Sequence, residues 1–87
     1  MDFLHYEVHL GPADAVRVEI DRQANVRLLD STNFSRYRRG ERHSYFGGLA
    51  AKSPILIPAP HAGHWHVAID LGGNQGVIRA AVSTIQG

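Results

Sequence analysis

The sequence predicts an all-β fold: a single-domain antiparallel β-sandwich or flattened barrel with Greek-key or jelly-roll-like wiring, six to seven short strands and at most one helical turn. Three observations carry that expectation. Apolar and polar residues alternate with a period of two along several short segments. Turn-forming residues recur roughly every 8 to 12 positions. No segment has the 3.6-residue period of an amphipathic helix of ordinary length. With 87 residues, the chain forms one domain over 1–87, and several strands with one apolar face each can bury those faces only between two sheets.

Residues 3–10 alternate Phe3, His5, Glu7 and His9 against Leu4, Tyr6, Val8 and Leu10, so the second set faces inward in an N-terminal strand that stops at Gly11 and Pro12. Residues 15–20 place Val16, Val18 and Ile20 opposite Arg17 and Glu19, a half-buried strand. After the polar break at 21–24, residues 25–30 continue as a strand, and the four-residue gap predicts that the two pair as a hairpin. Between 30 and 40 one helical turn is expected, capped by Ser31 or Asn33, with Phe34 and Tyr37 three apart on one side. Residues 53–58 are β-branched but hold Pro54 and Pro58, which cannot donate to a ladder, so the segment belongs at a sheet edge. Trp65, Val67, Ile69 and Leu71 alternate with His64, His66, Ala68 and Asp70, and the glycine-rich stretch 72–76 predicts a second hairpin with residues 77–82.

The composition, 44% hydrophobic and 20% charged, is that of a folded soluble domain. The absence of cysteine excludes disulfide frameworks, thiolate metal sites and cysteine nucleophiles. A net charge of +1 provides no whole-molecule field to draw the chain onto nucleic acid or an acidic membrane. The first residues lack the basic start and apolar run of a secretory leader, and no apolar stretch is long enough to span a bilayer. A cytoplasmic location without membrane association is therefore expected.

Three of the six histidines fall within 61–66. On an extended strand His64 and His66 project from the same face, about 6.5 to 7 Å apart, a spacing from which two imidazoles can converge on one ion. His61 could come round the bend at Gly63 as a third ligand to zinc or another divalent metal, with Asp70 on the same face as a ligand or as a partner to one. The plainer alternative, and the weightier, is that the histidines form the solvated outer face of a strand whose inner face is Trp65, Val67 and Ile69. No cofactor is then required.

Arg36, Arg38, Arg39, Arg42 and His43, interleaved with Phe34, Tyr37, Tyr45 and Phe46, make a local basic and aromatic patch. Guanidinium forks beside stacking rings suit an anionic ligand or single-stranded nucleic acid. Glu41 interrupts the run and no RNA-recognition or cold-shock motif accompanies it, so a charged loop pinned by Phe34 and Tyr37 is favoured over nucleic-acid binding. Asn33, Arg36, Tyr37, His43, His66 and Asp70 are the candidate ligand-binding residues, provided the fold brings them to one face. No Gly-x-Ser-x-Gly elbow, phosphate-binding loop or calcium loop is present, and the acids are scattered singly, so no catalytic residue is nominated.

The stretches Asn33-Phe34-Ser35-x-Tyr37, Tyr45-Phe46-Gly47-Gly48, Ser53-Pro54 and Gly63-His64-Trp65-His66-Val67 together resemble the bacterial Domain of Unknown Function family eighteen-eighty-three, over nearly the whole chain. That resemblance implies a small β-sandwich without assigned activity. The reading that follows is a non-catalytic binding or accessory module for an unidentified small molecule or protein, with a homodimer possible through an edge strand near Pro54 or Ile85. Its rivals are a mononuclear metal-dependent hydrolase using His61, His64 and His66, and nucleic-acid binding through the 36–42 segment.

Overall fold

A computed structural model describes residues 2–87. It contains β1 (Leu4–Leu10), β2 (Ala15–Ile20), β3 (Ala24–Leu29), α1 (Ser31–Arg38), β4 (Phe46–Ala50), β5 (Ile55–Pro58), β6 (Gly63–Asp70) and β7 (Ala80–Ile85). The strands form two separate antiparallel sheets, one ordered β1-β6-β3-β4 and the other β5-β2-β7. The result is the expected all-β sandwich rather than a closed barrel.

The alternation read from sequence places the core. Leu10 of β1, Val16 and Val18 of β2, Val26 and Leu28 of β3, and Trp65, Val67 and Ile69 of β6 lose essentially all solvent contact where the two sheets face one another. Each such aliphatic side chain contributes about 1.5–3 kcal/mol of transfer free energy. The segment with the prolines is β5, at the edge of the three-stranded sheet as its sequence requires. Strand β4 lies outside the expected set, because Phe46-Gly47-Gly48-Leu49-Ala50 shows no alternation, and its exposed Phe46 and Leu49 occupy the far edge of the larger sheet.

Both expected hairpins are absent. Strand β2 pairs with β5 and β7, whereas β3 pairs with β4 and β6, so residues 21–23 cross between sheets instead of turning within one. The connection lacks the glycine of a tight hairpin turn, and crossing lets Val16 and Val18 face Val26 and Leu28 across the core instead of lying beside them. Likewise β6 pairs with β1 and β3, while β7 pairs with β2, and residues 71–79 carry the chain from one sheet to the other. Positive-φ Gly72, Gly73 and Gly76 serve this crossover, not a two-strand turn.

The helical segment is also longer than one turn. Eight residues form α1, and Asp30, not Ser31 or Asn33, is its N-cap: the Asp30 carboxylate accepts from the Asn33 backbone N–H at 2.8 Å. Phe34 and Tyr37 point down onto Leu29 and Ala68, with Phe3 against their edges, and make a second, smaller core on the outer face of the four-stranded sheet. That cover explains why β6 is buried continuously from Trp65 to Asp70. It is an interior strand with one sheet on its inner side and a helix on its outer side.

Candidate functional site

The antiparallel register sets Glu7 opposite His66 and His9 opposite His64, with His5 opposite Ala68. The outward positions of two adjacent strands thus bring His5, Glu7, His9, His64 and His66 onto one patch. Their proximity follows from backbone pairing and does not depend on loop conformation.

His66 is the centre of the patch. It is buried, unlike the exposed residue that strand alternation alone predicts, because the Phe34 ring of α1 lies flat against it, with ring centroids 4.5 Å apart and planes within 2°. The His5 ring stacks on Phe34 as well, 4.1 Å between centroids. Both nitrogens of His66 are engaged: Nδ1 with His5 Nε2 at 2.8 Å, and Nε2 with Ser31 Oγ at 3.0 Å. Burial lowers the His66 pKa, and the nearby His5 and His64 lower it further, so the ring is held neutral more firmly than an ordinary histidine. His64 is half exposed, and its Nε2 meets Glu7 Oε1 at 2.9 Å. That hydrogen bond to His64 holds the Glu7 carboxyl below the usual carboxylate range.

The expected trio of His61, His64 and His66 does not assemble. His61 lies on the other side of β6, its ring 4.8 Å from that of Trp65 and its backbone carbonyl accepting from Trp65 Nε1 at 3.1 Å. The reason is that the core-facing Trp65 holds the bend at Gly63 toward itself, away from the strand's outer face. Glu7 takes the third place instead. Ligand-capable atoms of Glu7, His64 and His66 all lie within 4.8 Å of one another.

Asp70 is not part of that group. Its carboxylate accepts from Asn25 Nδ2 at 2.9 Å, Tyr37 Oη at 2.6 Å and the Gly72 N–H at 2.8 Å, and pairs with Arg27 Nη1. Burial pushes its pKa up, but the donors from Asn25, Tyr37 and Gly72 and the Arg27 charge together hold it below the ordinary value. The Tyr37 hydroxyl is pushed well up by burial and by that same bond to Asp70. The Arg27 guanidinium also lies over the Tyr37 and Tyr45 rings. This network ties α1 to β3 and β6.

Of the six candidate ligand-binding residues, all belong to the layer formed by α1, its following loop and the outer face of the four-stranded sheet, but several are committed to internal bonds. Asn33 Nδ2 donates to the Asp30 carboxylate and Asn33 Oδ1 accepts from the Ser44 N–H. Tyr37 and Asp70 bond to each other, and His43 packs edge-on against Tyr37 with Nδ1 at 2.9 Å from the Glu41 carbonyl. Arg36 is exposed. Among the other arginines of the basic segment, Arg39 pairs with Glu41 and Arg38 lies over the Phe34 ring. Sequence reasoning misses His5, Glu7 and Ser31. The signal for the first two is that 3–10 carries His5, Glu7 and His9, and 64–70 carries His64 and His66, at alternate positions, which matters only if the two strands are neighbours.

A cleft of about 620 Å³ lies beyond this patch, with Asp70 on its wall. It sits at the opposite end of β1 and β6, lined by Phe3, Leu4, Ile69, Leu71, Val77 and Ile78 with the glycine-rich crossover. Among the described residues that line it there is no imidazole or basic side chain. Among the described residues no helix is long and apolar enough to cross a membrane.

Compared with known proteins, the chain matches one family model over residues 1–87, described as "Domain of unknown function (DUF1883)". No curated protein and no solved structure matches it.

Proposed function

The chain belongs to the DUF1883 family, whose description assigns no activity, and from that premise we propose that it is a non-catalytic binding module whose recognition face is the outer face of β1 and β6 beside α1. One observation carries the reading: Phe34 of α1 stacks on His66, Ser31 holds the His66 ring through Nε2, the exposed His5 lies against both rings, and the group is rimmed by the side chains of Ser31, Arg38, Glu7 and His64. Rigid ring platforms with polar rims recognise ligands at small entropic cost. The Arg38 guanidinium on the rim favours a small anionic ligand, with ring N–H groups as hydrogen-bond donors to it. A cytoplasmic setting belongs to the same proposal and is checked by fractionating cells that express the chain.

The test is amide NMR of the whole chain titrated with inorganic phosphate, citrate and a mononucleotide. Shifts concentrated at His5, Ser31, Arg38, His64 and His66 support the face. Shifts concentrated instead at residues 71–78 would move the binding site to the cleft beside the glycine-rich crossover, and no shifts at either place would remove the anionic-ligand reading.

A further inference from the structure

The donor set on this face is specific enough to name one occupant. Glu7, His64 and His66 offer one carboxylate oxygen and two imidazole nitrogens from neighbouring strands, with every pair of those atoms within 4.8 Å. A tetrahedral ion with ligands at about 2.0–2.1 Å sets them about 3.3 Å apart. The Glu7 Oε1 to His64 Nε2 distance of 2.9 Å and the Glu7 Oε1 to His66 Nδ1 distance of 4.0 Å bracket that spacing. Glu7 and His64 are half exposed and have room to adjust, while His66 is buried and fixed.

The surroundings of His66 match a metal-bound imidazole. Ligating histidines characteristically donate their other ring N–H to an oxygen, which fixes tautomer and orientation. Ser31 Oγ occupies that place 3.0 Å from His66 Nε2. With His66 as the Nε2–H tautomer, the lone pair is on Nδ1, 4.0 Å from Glu7 Oε1. That lone pair accepts from His5 Nε2, and an incoming ion exchanges this hydrogen bond for a coordinate one. His5 is exposed at the strand surface and free to swing aside.

We propose that Glu7, His64 and His66 bind one divalent transition-metal ion of the zinc type, leaving a fourth coordination position open toward solvent. The inference rests on the reading of this face as a binding face and names what it holds. Two imidazoles and a carboxylate select zinc and its neighbours in the first transition row over magnesium or calcium, which prefer all-oxygen sites. The open position is where an anionic ligand would attach to the ion.

The experiment is calorimetric titration of the full chain with zinc chloride, and optical titration with cobalt(II), for the wild type and for Glu7→Ala, His64→Ala, Ser31→Ala and His61→Ala. Each variant's fold is checked by thermal melting. The proposal expects one ion per chain, the visible absorption of tetrahedral cobalt, and a loss of roughly 100-fold or more in affinity for Glu7→Ala and His64→Ala, beyond the 10–100-fold that loss of an outer partner costs. His61→Ala, on the other side of the strand, binds as the wild type does. Ser31→Ala weakens binding by about 10-fold or more while leaving the stoichiometry at one. No stoichiometric binding at tens of micromolar metal overturns the site, as does equal loss in His61→Ala. If zinc fails to bind while the anions named above still shift His5, Ser31 and His64, the metal site alone is wrong; if neither acts there, the binding face falls with it.

Discussion

The Phe34 ring stacks on the His66 imidazole, centroids 4.5 Å apart and planes 2° from parallel, so a helix side chain covers a histidine that its own strand would have left in solvent. That single stack couples the helix to the site. Phe34 also meets Phe3, Tyr37 and His5, which makes it the hub of the smaller core.

Truncating the hub is expected to cost about 3–5 kcal/mol, the range for a buried phenylalanine. Phe34→Ala in urea denaturation should therefore lose most of the stability of an 87-residue domain, whereas Phe34→Leu, which keeps most of the volume, should lose under about 1.5 kcal/mol. A Phe34→Ala protein within about 1 kcal/mol of the wild type would show that α1 does not anchor the outer face.

The Asp70 and Tyr37 pair predicts the pH profile. Asp70 has a folded-state pKa below its ordinary value, so its contribution to stability is present above the unfolded pKa and is lost as pH falls through the folded one. Tyr37 has a raised folded-state pKa, so its contribution is fully present below the ordinary tyrosine value near 10 and is lost as pH rises beyond it. Stability measured by urea midpoint should be flat between these limits on account of this pair. Asp70→Asn should flatten the acid limb, and Tyr37→Phe the alkaline limb, at a cost of about 1–2 kcal/mol near neutrality for the lost hydroxyl donor. An alkaline limb unchanged in Tyr37→Phe would dissociate the tyrosine from that transition.

Gly47 and Gly48 are adjacent in β4 and should respond unequally to alanine. Both have positive φ, 107° and 142°, so each substitution is strained. At Gly47 an added Cβ would also fall 2.4 Å from the Val26 carbonyl oxygen across the β3–β4 ladder, while at Gly48 it would meet open space. Thermal melting should place Gly47→Ala well below Gly48→Ala, with the ladder forced to open at Val26. Equal melting temperatures would mean that β4, an edge strand, yields without resistance.

Much of this architecture is legible in the amino-acid sequence. The outward set Phe3, His5, Glu7 and His9, the inward set Val16, Val18 and Ile20, and the core face of Trp65, Val67 and Ile69 follow from alternation, because successive side chains of an extended backbone must point to opposite sides. The edge position of the Pro54 and Pro58 segment follows from a missing donor. The histidine patch is half visible in the same way: His64 and His66 have to share a face.

Strand partners are decided only in three dimensions. Local signals favour pairing neighbours in sequence, 15–20 with 25–30 and 64–71 with 77–82, yet both pairs split between sheets so that apolar faces can oppose one another across the core. Glu7 comes to His66 because β1 pairs with β6 at a sequence separation that no local pattern encodes. Asp70 and His66 become buried because α1 folds back over β6 and Tyr37 and Phe34 find partners there. Alternation assigns each side chain to a face of its own strand through backbone geometry, a property of adjacent residues. Which two faces meet is settled by burying the most apolar surface with every polar group paired, a condition on the whole chain at once.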